Sequence, residues 1–210
     1  MNIEVGKRNK VFCIGFQKTG TSTVRAALKT LGYTVTGPNN TRDPDISHNL
    51  TGIVTSLSYK YDAFQDNPWP LVYQEMDALH PGSKFILTVR DSEAWIKSVV
   101  RHFGTSSTPM RELIYGFGSP VGYENTYVRV FESHNREVKD YFSERGDDLL
   151  VVDLTKYGAW APLCAFLDRP IPRLPFPHSN SALKREKSAK LTLSERSVRR
   201  AYFFLNRWLR

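Results

Sequence analysis

Five side chains able to grip an anion fall within six residues: Lys18, Thr19, Thr21, Ser22 and Thr23, set around Gly20. An apolar run, Val11 to Ile14, precedes them, and it is short enough for a buried strand. Val24, Ala27, Leu28 and Leu31 follow at i, i+3, i+4 and i+7, the spacing of one helix face. A strand, a glycine-bounded turn from Gly15 to Gly20 and a helix N-terminus together make an anion site. The first amides of the helix lack internal partners, and the helix dipole favours negative charge there. Lys18 adds a mobile cation, and the hydroxyls add donors.

The remaining chain must hold that turn in place. Lys84-Phe-Ile-Leu-Thr-Val89 is nearly all apolar and reads as a strand buried on both faces, ended by Arg90-Asp91-Ser92. A helix follows, with Trp95, Ile96, Val99, Val100 and Phe103 on one side. Tyr59 to Phe64 reads as a strand edge stopped by Gln65-Asp66-Asn67-Pro68, and Pro70 opens a helix carrying Val72, Met76 and Leu79. Residues 37–52 are rich in turn formers and read as a loop or loose helix. Residues 104–123, with several glycines and Tyr115, Phe117 and Tyr123, read as a long mobile loop suited to cover a substrate. A helix is expected over 124–144, a buried strand in Asp147–Asp153, a short helix over Trp160–Leu167 and an extended proline-rich stretch to Pro177. The alternation predicts an α/β fold, a three-layer sandwich with a central parallel sheet of the P-loop NTPase-like kind. Ligands bind such sheets at the carboxyl ends of the strands. Lys18, Asp66 and Arg90 each follow a proposed strand end, so they are expected on one edge.

Composition narrows the classes. The 210 residues suffice for one α/β domain with a full core, and aromatic residues are plentiful at 12%. The net charge of +8 is local: residues 1–168 hold 18 Lys+Arg against 19 Asp+Glu, whereas residues 169–210 hold 11 against 2. We therefore expect an α/β domain over 1–180 and a basic segment over 181–210. That segment is expected to end in an amphipathic helix from Leu191 to Arg210, suited either to peripheral contact with an anionic membrane or to packing on the domain's core. The polar N-terminus, the absence of a spanning apolar run and two cysteines in apolar settings, Cys13 and Cys164, point to a cytoplasmic protein. No Cys/His cluster has zinc spacing, and no nucleic-acid recognition motif appears.

The glycine turn departs from a Walker A loop, which places lysine directly after its second glycine. Here Thr21 holds that place, and Lys18 lies two residues before Gly20. Lys18-Thr-Gly-Thr-Ser22 resembles the 5′-phosphosulfate loop of sulfotransferases that use 3′-phosphoadenosine 5′-phosphosulfate (PAPS) and release 3′-phosphoadenosine 5′-phosphate (PAP). Arg90 followed eight residues later by Ser98 resembles the same family's 3′-phosphate motif. An arginine fork completed by a hydroxyl suits that group. Tyr157–Leu167 and the proline-rich stretch to Asn180 are similar to segments of bacterial-type and related sulfotransferases. The resemblance implies that Gln17, Lys18, Thr19, Gly20, Thr21, Ser22 and Thr23 hold the 5′ end of the donor. No Arg-Lys-Gly loop is evident, and Lys184 and Arg185 occupy its comparable late position.

The resemblance also implies a chemistry: metal-independent, in-line transfer of a sulfuryl group to a hydroxyl or amine of a small-molecule or glycan acceptor. Lys18 would stabilise charge on the leaving phosphate. A base is needed, and the family places one just after a strand and before a proline. Asp66 holds that place, with His48 and Glu75 in reserve. His80, His102, His134 and His178 show no partner pattern. Two rivals share the fold. One is a kinase or NTPase using Mg-ATP, with Leu149-Leu-Val-Val-Asp153 as its Walker B. The other is a non-catalytic module that binds anions or membranes. The acceptor and the oligomeric state are left open.

Overall fold

The computed structural model describes residues 9–154 and 160–177. Five strands run β1 (Val11–Cys13), β2 (Val35–Thr36), β3 (Ala63–Gln65), β4 (Lys84–Thr88) and β5 (Leu149–Val152). They form one sheet in the order β2-β3-β1-β4-β5, and every pairing is parallel. The register sets Phe12 of β1 beside Phe64 of β3 and Phe85 of β4. The three rings stack along one face, with centroids 4.5 and 5.4 Å apart.

Seven α-helices accompany the strands among the described residues: α1 (Thr21–Thr30), α2 (Ile46–Lys60), α3 (Tyr73–Leu79), α4 (Ser92–Phe103), α5 (Pro109–Tyr115), α6 (Glu124–Tyr141) and α7 (Trp160–Phe166). Alternation along each strand sends neighbouring side chains to opposite faces, so the sheet has two cores. On one face Val11, Cys13 and Ile86 meet Val24, Ala27 and Leu28 of α1 and Leu163 and Cys164 of α7. On the other, the phenylalanine row and Leu87 meet Val54 of α2, Met76 of α3 and Val138 of α6. The three-layer α/β sandwich with a parallel sheet is therefore the observed architecture. A third core lies beyond the strand ends, where Phe16 packs with Trp95, Val99, Tyr115, Tyr127 and Phe131.

Three local expectations change. Residues 46–60 are a full helix, although Ser, Thr, Asn and Gly weaken its intrinsic preference. Ile46, Leu50, Val54 and Leu57 supply the apolar stripe that tertiary packing uses. Residues 104–123 are not one open loop, because α5 occupies their middle. Thr108 caps α5 by accepting from the Arg111 amide, Pro109 fills its first position, and Gly116 closes it in the left-handed region. The buried Arg111 side chain then ties the segment down. It donates to the carbonyls of Gly118 and Ser106 and stacks over the Phe103 ring. Finally, β5 is an edge strand rather than a buried one, with Val151 41% exposed. Among the described residues no helix is long and apolar enough to cross a membrane. The expected basic helix over Leu191–Arg210, and Lys184 and Arg185 with it, lie outside the described residues.

Candidate active site

The strand order determines where a cleft can open. From β1 the chain moves out to the edge strand β2, returns to β3 beside β1, then crosses to β4 and continues outward to β5 on the other side. The reversal falls between β1 and β4, and parallel α/β sheets bind ligands at such a point. The turn after β1 carries Lys18, the turn after β3 carries Asp66, and Arg90 follows β4. These three strands are adjacent, so Lys18, Asp66 and Arg90 share one edge. Contacts confirm it. The Arg90 guanidinium donates to the Lys18 carbonyl at 3.1 Å, and the Thr21 hydroxyl donates to Asp66 Oδ2 at 2.8 Å.

The turn fits because Gly15 lacks a side chain. A Cβ there would lie 2.1 Å from Thr88 Oγ1 and 2.4 Å from the Thr88 carbonyl oxygen. Gly20 precedes α1 with φ 112°, a conformation that other residues rarely adopt. Lys18 (φ 70°) and Asp66 (φ 64°) are also left-handed, though neither is glycine. Non-glycine residues held in that region cluster at functional sites, where the surroundings enforce them.

The predicted donor-binding residues divide by direction. Lys18, Gly20 and Ser22 keep partial solvent exposure. The N–H groups of Gly20, Thr21 and Ser22 donate to no acceptor among the described residues. The Thr19 and Gln17 side chains do not point outward as expected. Thr19 is fully buried, its hydroxyl donating to the Phe16 carbonyl at 2.6 Å and lying 2.5 Å from Thr88 Oγ1. Gln17 is buried too, donating to the Tyr115 hydroxyl at 2.7 Å and accepting from Asn67 Nδ2 at 3.1 Å. Both shape the turn from within, because a strand-to-helix turn lying on a packed core must satisfy its inward polar groups. Thr23 is buried on α1. Ser98 is 5% exposed, on the same face of α4 as Trp95 and Val99.

Asp66 is partly buried, and desolvation raises its carboxyl pKa above the usual carboxylate value. The Asn67 amide, the Thr21 hydroxyl and the nearby Lys18 ammonium oppose that rise without cancelling it. His48 lies in the first turn of α2, not in a loop, exposed and beside the Ser47 hydroxyl. Glu75 is exposed on α3. Asp153 follows β5, which β4 separates from β1, so two strand spacings of about 4.8 Å each part it from the strand that feeds the turn. Among the described residues no group of three or more His, Cys, Asp or Glu could hold a metal ion. Cys13 is a buried core thiol whose pKa desolvation pushes up to about 12, and Cys164 is likewise free and buried.

Sequence reasoning missed two residues that touch the turn. The Trp95 indole donates to the Gln17 carbonyl at 2.8 Å, and His134 Nε2 donates to the Ile14 carbonyl at 2.7 Å. Trp95 carried only a helix-face signal, and His134, on α6, is 120 positions from its partner. No local pattern could have joined them.

Comparison with known proteins identifies the family. The model of the sulfotransferase domain family matches residues 10–125 and 106–184. The chain is also 25% identical to Ava biosynthesis cluster protein M of Aspergillus versicolor, over 80% of each chain. The family match takes in the glycine turn, the Asp66 turn and the Arg90 junction together, and on that ground the protein belongs to the sulfotransferase domain family.

Proposed function

We propose that the protein moves a sulfuryl group from PAPS to a hydroxyl or amine of a small-molecule or glycan acceptor. The adjacency of Lys18, Asp66 and Arg90 on the edge of β3, β1 and β4 carries this reading. Gly20, Thr21 and Ser22 offer amides, and Lys18 offers an ammonium, to the 5′-phosphosulfate. Arg90 spends one of its five N–H groups on the Lys18 carbonyl, and the others serve the 3′-phosphate. Ser98, on the helix that Arg90 precedes, completes that second grip, with Lys184 and Arg185 as further candidates.

In the transfer, the bond from sulfur to the bridging phosphate oxygen breaks as sulfur bonds to the acceptor atom. Asp66 takes the acceptor's proton. Lys18 lies where negative charge gathers on the departing phosphate, and such placed cations contribute strongly to group transfer. A carboxylate with a raised pKa is a better base than an ordinary one.

A magnesium-nucleotide reading has one observation in its favour, the Thr21–Asp66 hydrogen bond, since a hydroxyl and a carboxylate together can approach a cation. Lys18 upstream of Gly20, and Asp153 a strand away, weigh against it. Calorimetric titration separates the two. PAP should bind without metal, and ATP with Mg²⁺ should bind weakly and without turnover. The opposite ranking would overturn the proposal. Lys18→Ala should abolish transfer while the protein stays folded, and near-normal turnover would remove Lys18 from the mechanism.

A further inference from the structure

Four carbonyls in the turn after β1 each accept from a side chain. Ile14 accepts from His134 Nε2, Phe16 from Thr19 Oγ1, Gln17 from Trp95 Nε1 and Lys18 from Arg90. In a trans peptide the carbonyl and the next N–H point in opposite directions. Fixing the Gln17 and Lys18 carbonyls toward the start of α4 therefore turns the Lys18 and Thr19 amides away from it. The donors come from α4, α6, the turn itself and the β4 junction, so the turn's orientation is fixed by elements remote in sequence.

From this we infer that Trp95 and His134 are positioning residues for the donor-binding turn. They hold its carbonyls back and so fix the backbone that leads into the amides of Gly20, Thr21 and Ser22. Resting on the sulfotransferase reading above, the inference assigns these two residues a role in donor affinity. Neither side chain has another evident reason for its polar atom. Trp95 is fully buried and stacks on Phe131 with centroids 4.2 Å apart, and its indole N–H meets only the turn. His134 packs against Phe16 at 4.5 Å and against Tyr73 at 6.0 Å. Burial lowers its pKa, although the Ile14 carbonyl and Glu137 oppose this, and a carbonyl partner requires the proton on Nε2. The third core thus seats the turn, and the two polar atoms set its rotation.

The test uses the full chain. Trp95→Phe keeps a stacking ring and deletes the N–H. His134→Leu deletes the donor, and His134→Gln restores an N–H at similar reach. Trp95→Phe and His134→Leu should each weaken PAP binding about tenfold, the scale of one buried hydrogen bond, raising the KM for PAPS more than they lower kcat. His134→Gln should recover most of that affinity. Affinities that stay at the wild-type value, or losses that Gln does not rescue and that track only the melting temperature, would overturn the inference. A wild type that ignores PAP overturns the donor reading instead. Inorganic pyrophosphate then replaces PAP as probe of the same turn, and equal binding by wild type and Trp95→Phe overturns the positioning role. A turn that binds neither anion overturns both.

Discussion

Asp66 combines a left-handed backbone with a desolvated carboxyl, whose pKa is raised chiefly by lost solvent. A group whose folded-state pKa is raised holds its proton more tightly folded than unfolded. Its stabilising contribution is present in acid and lost as pH rises through the folded pKa, so above that pKa the buried carboxylate is a liability. Asparagine tolerates the left-handed region, keeps an acceptor oxygen for Thr21 or the Asn67 amide, and never ionises. Asp66→Asn should therefore lower turnover by ~10²-fold or more while PAP affinity persists, with a melting temperature equal to or above wild type. In the wild type, kcat/KM should fall on the acid side with a midpoint above the usual carboxylate range, and Asp66→Asn should erase that limb. An unaffected rate would shift the base to another group.

At the scale of elements, two glycines make opposite demands. Gly15 ends β1 against Thr88 of β4, where a Cβ meets backbone at 2.4 Å. Gly52 sits inside α2 with nothing within 4 Å of its would-be Cβ. Gly15→Ala should destabilise by roughly 2 kcal/mol or more, since backbone cannot yield as a flexible side chain does. Gly52→Ala should stabilise by about 0.5–1 kcal/mol through helix propensity and unfolded-state entropy. Denaturant midpoints measure both, and the same sign for both would contradict the packing. Arg111 holds the segment around α5 from within, its charge met by carbonyls and the Phe103 face. Arg111→Ala orphans those carbonyls and should cost about 2–3 kcal/mol, with faster amide exchange across residues 104–118. Arg111→Lys should rescue little of it, because a point charge cannot span two carbonyls and stack.

For the whole molecule, the family match ends at residue 184, and the chain continues for a basic stretch beyond it. We expect deletion of residues 186–210 to leave PAP affinity within about twofold, while binding to vesicles of anionic lipid falls sharply, as for a surface-charge interaction. Calorimetry and vesicle sedimentation on the two forms check this. A tail that carries donor affinity would instead lower PAP binding on deletion.

Strand-to-helix junctions were plain in the residues themselves. Apolar runs ended in Gly15, Gln65 and Arg90, and the helix after Gly20 showed its face at 3.6-residue spacing. These are local signals, set by side-chain periodicity and backbone preference, so the sheet, the turn and the three polar groups at strand ends were legible. Helix α2 was less so, because weak helix formers obscured a stripe that only packing against Phe12 and Phe64 makes decisive. The inward Gln17 and Thr19, the pinned α5 and the grips of Trp95 and His134 were not legible at all. Each depends on partners brought together by the strand order, and a hydrogen bond across 120 positions leaves no trace in local spacing. Residue chemistry thus determined which anion-gripping parts the chain owns, while tertiary packing decided which of them face the cleft and which hold it open.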